Sequence, residues 1–359
     1  MVRRCPVRRG VGHAVRMATL RERVTAPAHL DVPTPVGGLT FRPATMADLP
    51  EVHGIALESA AVDEPHAHPS TEDFVHRLST EGLDPERDTV VAIDAEGHVH
   101  AYAIVIPVPT RDTAARVILG GSVRPAHRGR GIGRRMLAWQ TGRARQHLAG
   151  LDLDLPGAID LTAPQGSSTL ALAAHAGLHP VRTWVDMQVV LDDADAPGRQ
   201  SVPPLPDGLV LRAATVADVE PMRAAKNDAF RDHWGSQPMV EADWRGYLTA
   251  EKSRLDLSRV VVDEHGDVLA FTVVESDPGA FAARGRSFGY LHWVGVVRRA
   301  RGRGLAPLVL GATLDAVRDA GLSAASLEVD AENPSGAVAL YERFGFVAGT
   351  ATITTSMAL

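Results

Sequence analysis

The chain has 359 residues, 45% hydrophobic and 22% charged, which is the composition of an ordinary globular protein and a length that favours two domains. Its formal net charge of -6 argues against general nucleic-acid binding, and no stretch approaches the roughly 18 consecutive apolar residues of a membrane helix. The single cysteine, Cys5, excludes an internal disulfide and a cysteine-based metal site or nucleophile. This cysteine usage fits a reducing cytoplasm, where we place the protein.

The first residues form an arginine-rich tail. Arginines crowd a segment with few acids, and no apolar core of roughly 7–15 residues follows them, so a signal peptide is not predicted. We predict that residues 1–37 are a disordered tail, or that the gene start is over-extended and Met17 is the first residue. A transit peptide is the remaining alternative.

The chain then repeats itself. The segment from Gly38 to Leu49 aligns with the segment from Gly208 to Val219, which lies 170 residues later. Each predicts a short alternating strand followed by a Thr-x-x-Asp cap that opens a helix, with Thr45 and Thr215 as the N-caps. The repeat continues with two hairpin patterns, each with a glycine turn, at residues 90–99 and 260–268.

Each copy next carries a glycine-rich hexamer between a strand-like and a helix-like stretch. The first is Arg128-Gly129-Arg130-Gly131-Ile132-Gly133, and the second is Arg301-Gly302-Arg303-Gly304-Leu305-Ala306. Glycine lets the backbone approach a ligand and adopt φ > 0. The free amides and the start of the helix then favour an anion.

These landmarks predict a duplicated domain with a proline-rich linker. The boundaries are 38–192 for the first copy, 193–207 for the linker and 208–359 for the second copy. Each copy reads as strand, helices, three strands, glycine turn, helix, strand, helix and strand. This order predicts an α/β fold in which helices flank a central sheet.

The paired hexamers resemble the acyl-CoA pyrophosphate loop of the GNAT family of N-acetyltransferases. The second copy adds Asn333 and Tyr341 followed by Phe344-Gly345-Phe346, which is similar to a GNAT pattern at the last helix and strand. The resemblance implies two tandem GNAT domains, each with a mixed, mostly antiparallel sheet. It also implies acetyl-CoA as co-substrate, with no metal.

The resemblance assigns most site residues in the second copy. Tyr341 is the expected general acid toward the CoA sulfur, although it is also readable as a core aromatic. The backbone of Val294 and Val296, on the strand before the loop, is expected to meet the acyl group. The expected cofactor contacts are therefore Val294, Val296, Arg301, Gly302, Arg303, Gly304, Leu305, Ala306 and Asn333, with Arg128, Gly129, Arg130, Gly131 and Gly133 in the first copy.

The general base is less defined. His292 lies two and four positions before Val294 and Val296, so the three share one strand face, and a histidine there can relay the amine proton. Glu328 and Asp330, on the neighbouring predicted strand, are the competing groups, and Glu328 is also a candidate contact of the acceptor. Asp232, His233 and Trp234 lie in the loop after the first helix of the second copy, where they either hold a cationic amine or cap and pack the loop.

The first copy is predicted to be non-catalytic. Gln165 stands opposite Asn333, and Ala173, which cannot donate a proton, stands opposite Tyr341. His66 and His68 match no strong zinc pattern, so no metal site is predicted.

The leading hypothesis is an acetyl-CoA-dependent N-acetyltransferase acting on a primary amine of a small molecule or peptide by direct attack in a ternary complex. We expect no nucleic-acid or membrane partner. The alternative is a non-catalytic acetyl-CoA-binding sensor or scaffold. A dinucleotide-binding oxidoreductase is disfavoured, because the first loop lacks the Gly-x-Gly-x-x-Gly spacing. The acceptor and the oligomeric state stay open.

Overall fold

The computed structural model describes residues 18–64, 67–191, 203–333 and 336–359. The interpretations that concern Cys5, Met17 and His66, and most of the predicted linker, fall outside these residues. The first copy contains β1 (Thr40–Arg42), β2 (Thr89–Ile93), β3 (Val99–Pro107), β4 (Ala115–Val123), β5 (Gly157–Pro164) and β6 (His179–Val190). Its helices are α1 (Leu20–Arg23), α2 (Leu49–Asp63), α3 (Thr71–Leu78), α4 (Pro85–Asp88), α5 (Ile132–Ala149) and α6 (Ser168–His175).

The second copy repeats this order. Its strands are β7 (Val210–Ala213), β8 (Arg259–Val262), β9 (Val268–Glu275), β10 (Phe288–Val296), β11 (Ala324–Asp330) and β12 (Val347–Ala358). Its helices are α7 (Val219–Ala229), α8 (Glu241–Leu248), α9 (Phe281–Arg284), α10 (Leu305–Asp319) and α11 (Ala337–Arg343).

The caps and hairpins of the repeat are confirmed. Thr45 and Thr215 each begin a 3₁₀ turn with a capping box closed by Asp48 or Asp218. Each of these aspartates also accepts two hydrogen bonds of 2.7 Å from an arginine on the preceding strand. The predicted hairpins are the antiparallel pairs β2–β3 and β8–β9.

All twelve strands form one sheet, in the order β1-β2-β3-β4-β5-β12-β6-β11-β10-β9-β8-β7. The last strand of each copy is therefore exchanged. Strand β6 pairs with β11 from Val190↔Ala324 to Trp184↔Asp330, and β12 pairs with β5 from Thr352↔Pro164 to Ala358↔Ala158. Both copies have the predicted mixed α/β fold, but neither closes its own sheet.

Helices cover both faces of the sheet. In β2, Val90 and Ala92 pack in the cluster that includes residues of α5, whereas Val91 packs on the other face with Val52 and Ile55 of α2. The exchange also merges the cores, because Met187 and Val189 of β6 lie in a cluster with Leu327, Tyr341 and Phe346 of the second copy.

Part of the predicted disordered tail is ordered. Leu20 is fully buried in the core of the first copy, and the backbone amide of Leu20 donates to the carbonyl of Leu153 at 2.8 Å. The arginine content of the tail suggested disorder, but the apolar Leu20 and Val24 supply enough burial to dock residues 18–37. No helix within the described ranges is long and apolar enough to cross a membrane.

Candidate active site

A glycine-rich loop joins β10 to α10 in the second copy. Gly302 and Gly304 both have φ of 74°, a conformation that glycine adopts without strain, and Gly304 is the N-cap of α10. Among the described residues, no atom outside the adjoining backbone lies within 4 Å of a Cβ placed on Gly302, so the loop is open to them on that side. The unbonded amides and the positive dipole end of α10 therefore face a space suited to an anion.

The other residues of the hexamer hold the loop in place. Leu305 is buried and anchors the start of α10, and Ala306 is partly buried beside it. Arg301 donates a hydrogen bond of 2.8 Å to the carbonyl of Ala229, whereas Arg303 is exposed. Positive charge and open amides thus lie together at this turn.

Strands β10 and β11 separate just before the loop. Their parallel pairing runs only from Phe288↔Ala324 to Tyr290↔Ser326, and β11 continues alone against β6. A register irregularity against β9 at His292 marks the point where β10 bends away. The result is a V-shaped opening between the two strands.

The backbone of β10 points into this opening. The amide of Val297 donates to the carbonyl of Leu269 on β9. Because main-chain groups alternate in direction along an antiparallel strand, those of Val296 and Val294 point away from β9, toward the opening. These two residues are therefore placed to bond a ligand that lies along the free edge of β10.

A cluster of polar and aromatic side chains lies beside this opening. The His292 ring centroid lies 4.8 Å from that of Tyr247 and 5.7 Å from that of Tyr290. Its Nδ1 lies 4.0 Å from a carboxylate oxygen of Glu275. Crowding by these neighbours removes water from the imidazole, although 36% of the His292 side chain stays exposed. This desolvation, with the charge of Lys252, lowers the pKa of His292 to about 4, so the imidazole is neutral at pH 7.

Carboxylates from both copies face this cluster. Desolvation raises the pKa of Glu328 on β11, although its side chain is exposed at the surface. A hydrogen bond from Thr352 opposes this shift, and the charges of Asp186 on β6 and Glu64 at the end of α2 add to it. Burial also raises the pKa of Glu64, with contributions from Asp63 and Asp186. Asp186 accepts two hydrogen bonds, of 3.0 and 2.9 Å, from Arg284. The strand exchange thus builds an acidic cleft between the copies.

Tyr341 and Asn333 lie on the far side of the opening. Tyr341 is buried among residues of the same cluster as Val329 and Val294, and its ring lies 5.6 Å from that of Phe346. Burial raises the pKa of the Tyr341 phenol, which therefore keeps its proton at neutral pH. Asn333 lies in the turn after β11, where its amide donates to the carbonyl of Asp330 at 3.1 Å.

The loop that follows α7 crosses toward the first copy. Asp232 lies 3.5 Å from Arg298 and 3.8 Å from Arg301, beside the glycine loop. The ring of Trp234 lies over the guanidinium of Arg116, at 4.3 Å, and that of His233 stacks at 5.8 Å on Trp184. Within the described residues, Asp232, His233 and Trp234 make no hydrogen bond or ion pair with His292 or Glu328. His233 and Trp234 therefore line the junction between the copies, whereas Asp232 lies beside the glycine loop of the second copy.

The first copy retains the backbone of its glycine loop. Gly129 and Gly131 have φ of 75° and 82°, and Gly133 packs against Leu172 of α6. Arg128 donates to both carboxylate oxygens of Asp63, at 2.9 and 2.7 Å, and Arg130 bonds the carbonyl of Ala126. A Cβ on Gly37 would lie 3.1 Å from the Arg130 side chain, so the ordered N-terminal segment runs beside this loop.

An ion pair and an indole occupy the point in the first copy where its two parallel strands separate. Arg116 and Asp160 form an ion pair where β4 and β5 separate, and Trp234 covers it. Ala173 is fully buried at the position that corresponds to Tyr341, and the amide of Gln165 bonds the carbonyl of Ala351. The first copy thus lacks the phenol that Tyr341 supplies in the second.

Sequence reasoning missed Tyr247, Glu275, Tyr290, Asp186 and Glu64 as parts of the cleft. Tyr290 lies two residues before His292 on the same strand, and this spacing is the one local signal that was available. The other four come from separate elements, two of them in the other copy. In the described parts of the chain, no group of three or more His, Cys, Asp or Glu is arranged to hold a metal ion.

Two glycine loops, each beside a pair of separated parallel strands, define a tandem acyltransferase-type α/β protein. A profile of the acetyltransferase (GNAT) family matches residues 49–162 and 219–346. The chain belongs to the GNAT family, whose members use acyl-CoA, and it is an N-acetyltransferase.

Relatives with assigned names span both copies. The chain is 30% identical over 328 residues to the mycothiol acetyltransferase of Tsukamurella paurometabola, covering 84% of this chain and 93% of that protein. It is 32% identical over 316 residues to the mycothiol acetyltransferase of Salinispora tropica, covering 85% and 92%.

Solved structures share the fold. A GCN5-related N-acetyltransferase from Sphaerobacter thermophilus superposes with a TM-score of 0.67 at 24% identity and covers 93% of this chain and 97% of its own. A tandem GNAT protein from the clavulanic acid biosynthesis pathway gives a TM-score of 0.64 at 20% identity and covers 89% and 98%. These two likenesses concern the fold alone.

Proposed function

We propose that the second copy transfers an acetyl group from acetyl-CoA to a primary amine of a small molecule, by direct attack in a ternary complex. The observation that carries this proposal is the open glycine loop at the end of the unpaired part of β10, with the carboxylates of the acidic cleft on the neighbouring strands β11 and β6. The mycothiol acetyltransferases among its relatives support a small-molecule acceptor.

The chain supplies binding groups for acetyl-CoA. The amides of Gly302 to Ala306 fit the pyrophosphate, because they lie at the start of a helix. Glycine is required at positions 302 and 304, because a residue with a side chain disfavours their positive φ. The backbone of Val294 and Val296 fits the pantetheine arm and the acetyl oxygen. When bound, acetyl-CoA supplies an acetyl group activated as a thioester. An amide fixed toward the carbonyl oxygen stabilises the negative charge that develops there.

The acidic cleft suits an amine. A primary alkylamine has a pKa near 10 and arrives as an ammonium ion, which Glu328 and Glu64 attract. It must lose a proton before its nitrogen can attack. The imidazole of His292 lies beside the opening and is neutral at pH 7, so it can relay this proton through a water, but its pKa of about 4 makes it a weak base. Glu328, whose pKa is raised, is the competing base.

The thiolate that leaves needs a proton. Tyr341 is our candidate donor, since its phenol is protonated at neutral pH and packs beside Val294. We propose that the first copy is not catalytic, because Ala173 replaces this phenol and Trp234 covers the Arg116–Asp160 pair.

The direct test is CoA release from acetyl-CoA across a panel of small primary amines that includes deacetylated mycothiol. We expect at least one amine to release CoA and to yield the acetylated product by mass spectrometry. If no amine is acetylated while acetyl-CoA binds, the proposed enzyme activity is wrong.

Tyr341→Phe tests the assigned acid. Because a positioned general acid contributes roughly 10²-fold or more, the variant should lower kcat about 100-fold with little change in acetyl-CoA affinity measured by calorimetry. Tyr102→Phe, which also alters a largely buried tyrosine but in the first copy, is the matched control and should keep kcat. An unchanged kcat in Tyr341→Phe removes Tyr341 from the mechanism.

A further inference from the structure

A large cavity lies in the first copy, and the proposed transfer does not use it. Its volume is about 880 Å³, within the roughly 300–1,000 Å³ that small-molecule sites occupy. Helices α2, α3 and α4 and strands β2 and β3 enclose it, and its lining includes no residue of either glycine loop. Met46 and Val75 line it and are 63% and 44% exposed, so the cavity opens to solvent.

The second copy fills the corresponding space with buried side chains. At the repeat spacing of 170 residues, Trp244 and Leu248 of α8 correspond to Phe74 and Leu78 of α3. Trp244 is fully buried, and its indole nitrogen donates to the carbonyl of Val219 at 2.6 Å. Leu248 is also buried, whereas α3 contains no buried residue. Helix α3 therefore packs less closely on the sheet than α8 does, and the cavity lies beneath it.

The wall of this cavity suits an apolar ligand. Its aliphatic and aromatic side chains include Leu49, Val52, Phe74, Leu78 and Ile104. Folded interiors contain few voids larger than a water molecule, and an apolar cavity takes up apolar molecules because they restore the missing contacts. An occupant with a hydrocarbon body is therefore favoured.

The threonine and serine hydroxyls of the wall are already used within the chain. Thr89 donates to the carbonyl of Pro85 at 2.6 Å, and Ser79 donates to the carbonyl of His76 at 2.8 Å. Because these protons are committed, the hydroxyls do not add donors for a polar body inside the cavity.

The charged rim of the cavity selects the polar end of the occupant. Arg87 of α4 lines the cavity, is exposed, and makes no hydrogen bond or ion pair with the described residues. Its planar guanidinium can bind a carboxylate through two parallel charge-assisted hydrogen bonds. The adjacent Glu86 is also exposed at the rim, but an ammonium group would bind it only as a point charge, so an anion is the better match.

We propose that this cavity binds an aliphatic carboxylate of medium chain length. The hydrocarbon chain lies between α3 and the sheet, and the carboxylate pairs with Arg87 at the rim. Because the wall belongs to the first copy alone, the site is independent of acetyl transfer in the second copy. The copy in which Ala173 replaces the phenol thus has a binding site of its own.

Calorimetry on the whole protein tests this site with decanoate and decylamine, which share a chain length and differ in the sign of their charge. We expect one saturable decanoate site, with an affinity about 5-fold or more above that for decylamine. Arg87→Gln should lower the affinity for decanoate about 3- to 5-fold, the size of a partly exposed ion pair, without lowering that for decylamine.

Two further variants block the cavity. Phe74→Trp gives α3 the indole that α8 carries at Trp244. It should lower the affinity for decanoate about 10-fold or more, since keeping two methylenes out of the cavity already accounts for that loss. Leu78→Phe, one turn further along α3, is the second blocking variant. Val216→Trp, which adds an indole at a 67% exposed position of the second copy, is the matched control and should keep the wild-type affinity.

Thermal unfolding confirms that each variant folds, and Phe74→Trp should unfold at or above the wild-type temperature because it fills a space. Weaker decanoate binding in the blocking variants, with Val216→Trp unchanged, supports the site. The absence of saturable decanoate binding, equal affinity in wild type and both blocking variants, or a preference for decylamine overturns it. These measurements need no acetyl transfer, so their outcome is separate from that of the proposed function.

Discussion

Glu64 and Trp234 occupy corresponding positions in the two copies, 170 residues apart, and they decide the chemistry of opposite clefts. Trp234 reaches from the second copy and covers an arginine of the first cleft. Glu64 reaches from the first copy toward Asp186 and Glu328 of the second cleft. The tryptophan of the second copy therefore covers the first cleft, and the glutamate at the corresponding position of the first copy helps the second cleft to attract a cation.

The lowered pKa of His292 predicts how the free energy of unfolding depends on pH. Its pKa is 6.5 in a model peptide and about 4 in the folded chain. Between these values the unfolded state binds more protons than the folded state, so this histidine makes stability fall as pH decreases from 6.5 to 4. The advantage of wild type over His292→Gln in free energy of unfolding should therefore shrink across this window.

Urea unfolding at several pH values measures this difference. His265→Gln, at an exposed turn, is the control and should show no such trend relative to wild type. A wild-type advantage over His292→Gln that is constant or grows toward pH 4 contradicts the lowered pKa.

The functional roles of some residues could be predicted from the sequence, and those of others could not. Tyr341 and the loop glycines stand in local motifs with fixed spacing, so their roles could be proposed from the sequence. Glu275, Asp186 and Glu64 stand in no motif, because β9, β6 and α2 bring them together only after folding. The sequence left two roles open for the Asp232–Trp234 loop, acceptor binding and loop packing, because its direction depends on Arg116 and Trp184, which no local pattern connects to it.

Among the elements, the loop between β10 and α10 carries the cofactor prediction. Gly302→Ala places a side chain at φ of 74°, which costs about 1–2 kcal/mol for a non-glycine residue. Because binding requires this loop conformation, we expect the Kd for acetyl-CoA to rise about 5- to 30-fold. Gly266→Ala is the matched control, since Gly266 also has a positive φ and open space around it but lies in the β8–β9 turn.

The free loop of Gly302→Ala relaxes this strain, so binding must restore the strained conformation and the affinity falls in calorimetry, whereas Gly266→Ala should keep the wild-type affinity. Equal affinities in the two variants would mean that the loop does not hold the nucleotide.

Most elements follow from local sequence signals. Each copy contains a capping box, a hairpin glycine and a glycine-rich hexamer, and each of these is recognisable from a few neighbouring residues. The segment 18–37 was harder to predict, because its order depends on burial of Leu20 against a distant part of the first copy. Composition alone cannot show such a docking site.

At the scale of the whole molecule, the sequence indicated two domains and the structure has one sheet. In β6 and β12 the side chains alternate in a similar way, so either strand could pair within its own copy or with the other copy. The sequence pattern therefore does not show which sheet each strand completes. The exchange has a functional consequence. It brings Asp186, on a strand of the first copy, opposite Glu328 of the second, so the acidic cleft needs both copies.

The same exchange predicts that neither copy folds alone. Without the second copy, β5 loses its partner β12 and β6 loses β11; without the first, β11 and β12 lose β6. Unpaired edges and the divided core of Met187, Val189 and Leu327 would then be exposed to water.

Separately expressed fragments 1–202 and 203–359 should therefore aggregate or lack cooperative unfolding, whereas co-expression should restore a soluble complex. As a control, a protease site inserted after the exposed Leu205 should allow cleavage of the folded chain without separation of the halves on gel filtration. A fragment that alone gives a sharp thermal transition and disperse NMR signals would show that the copies are independent domains after all.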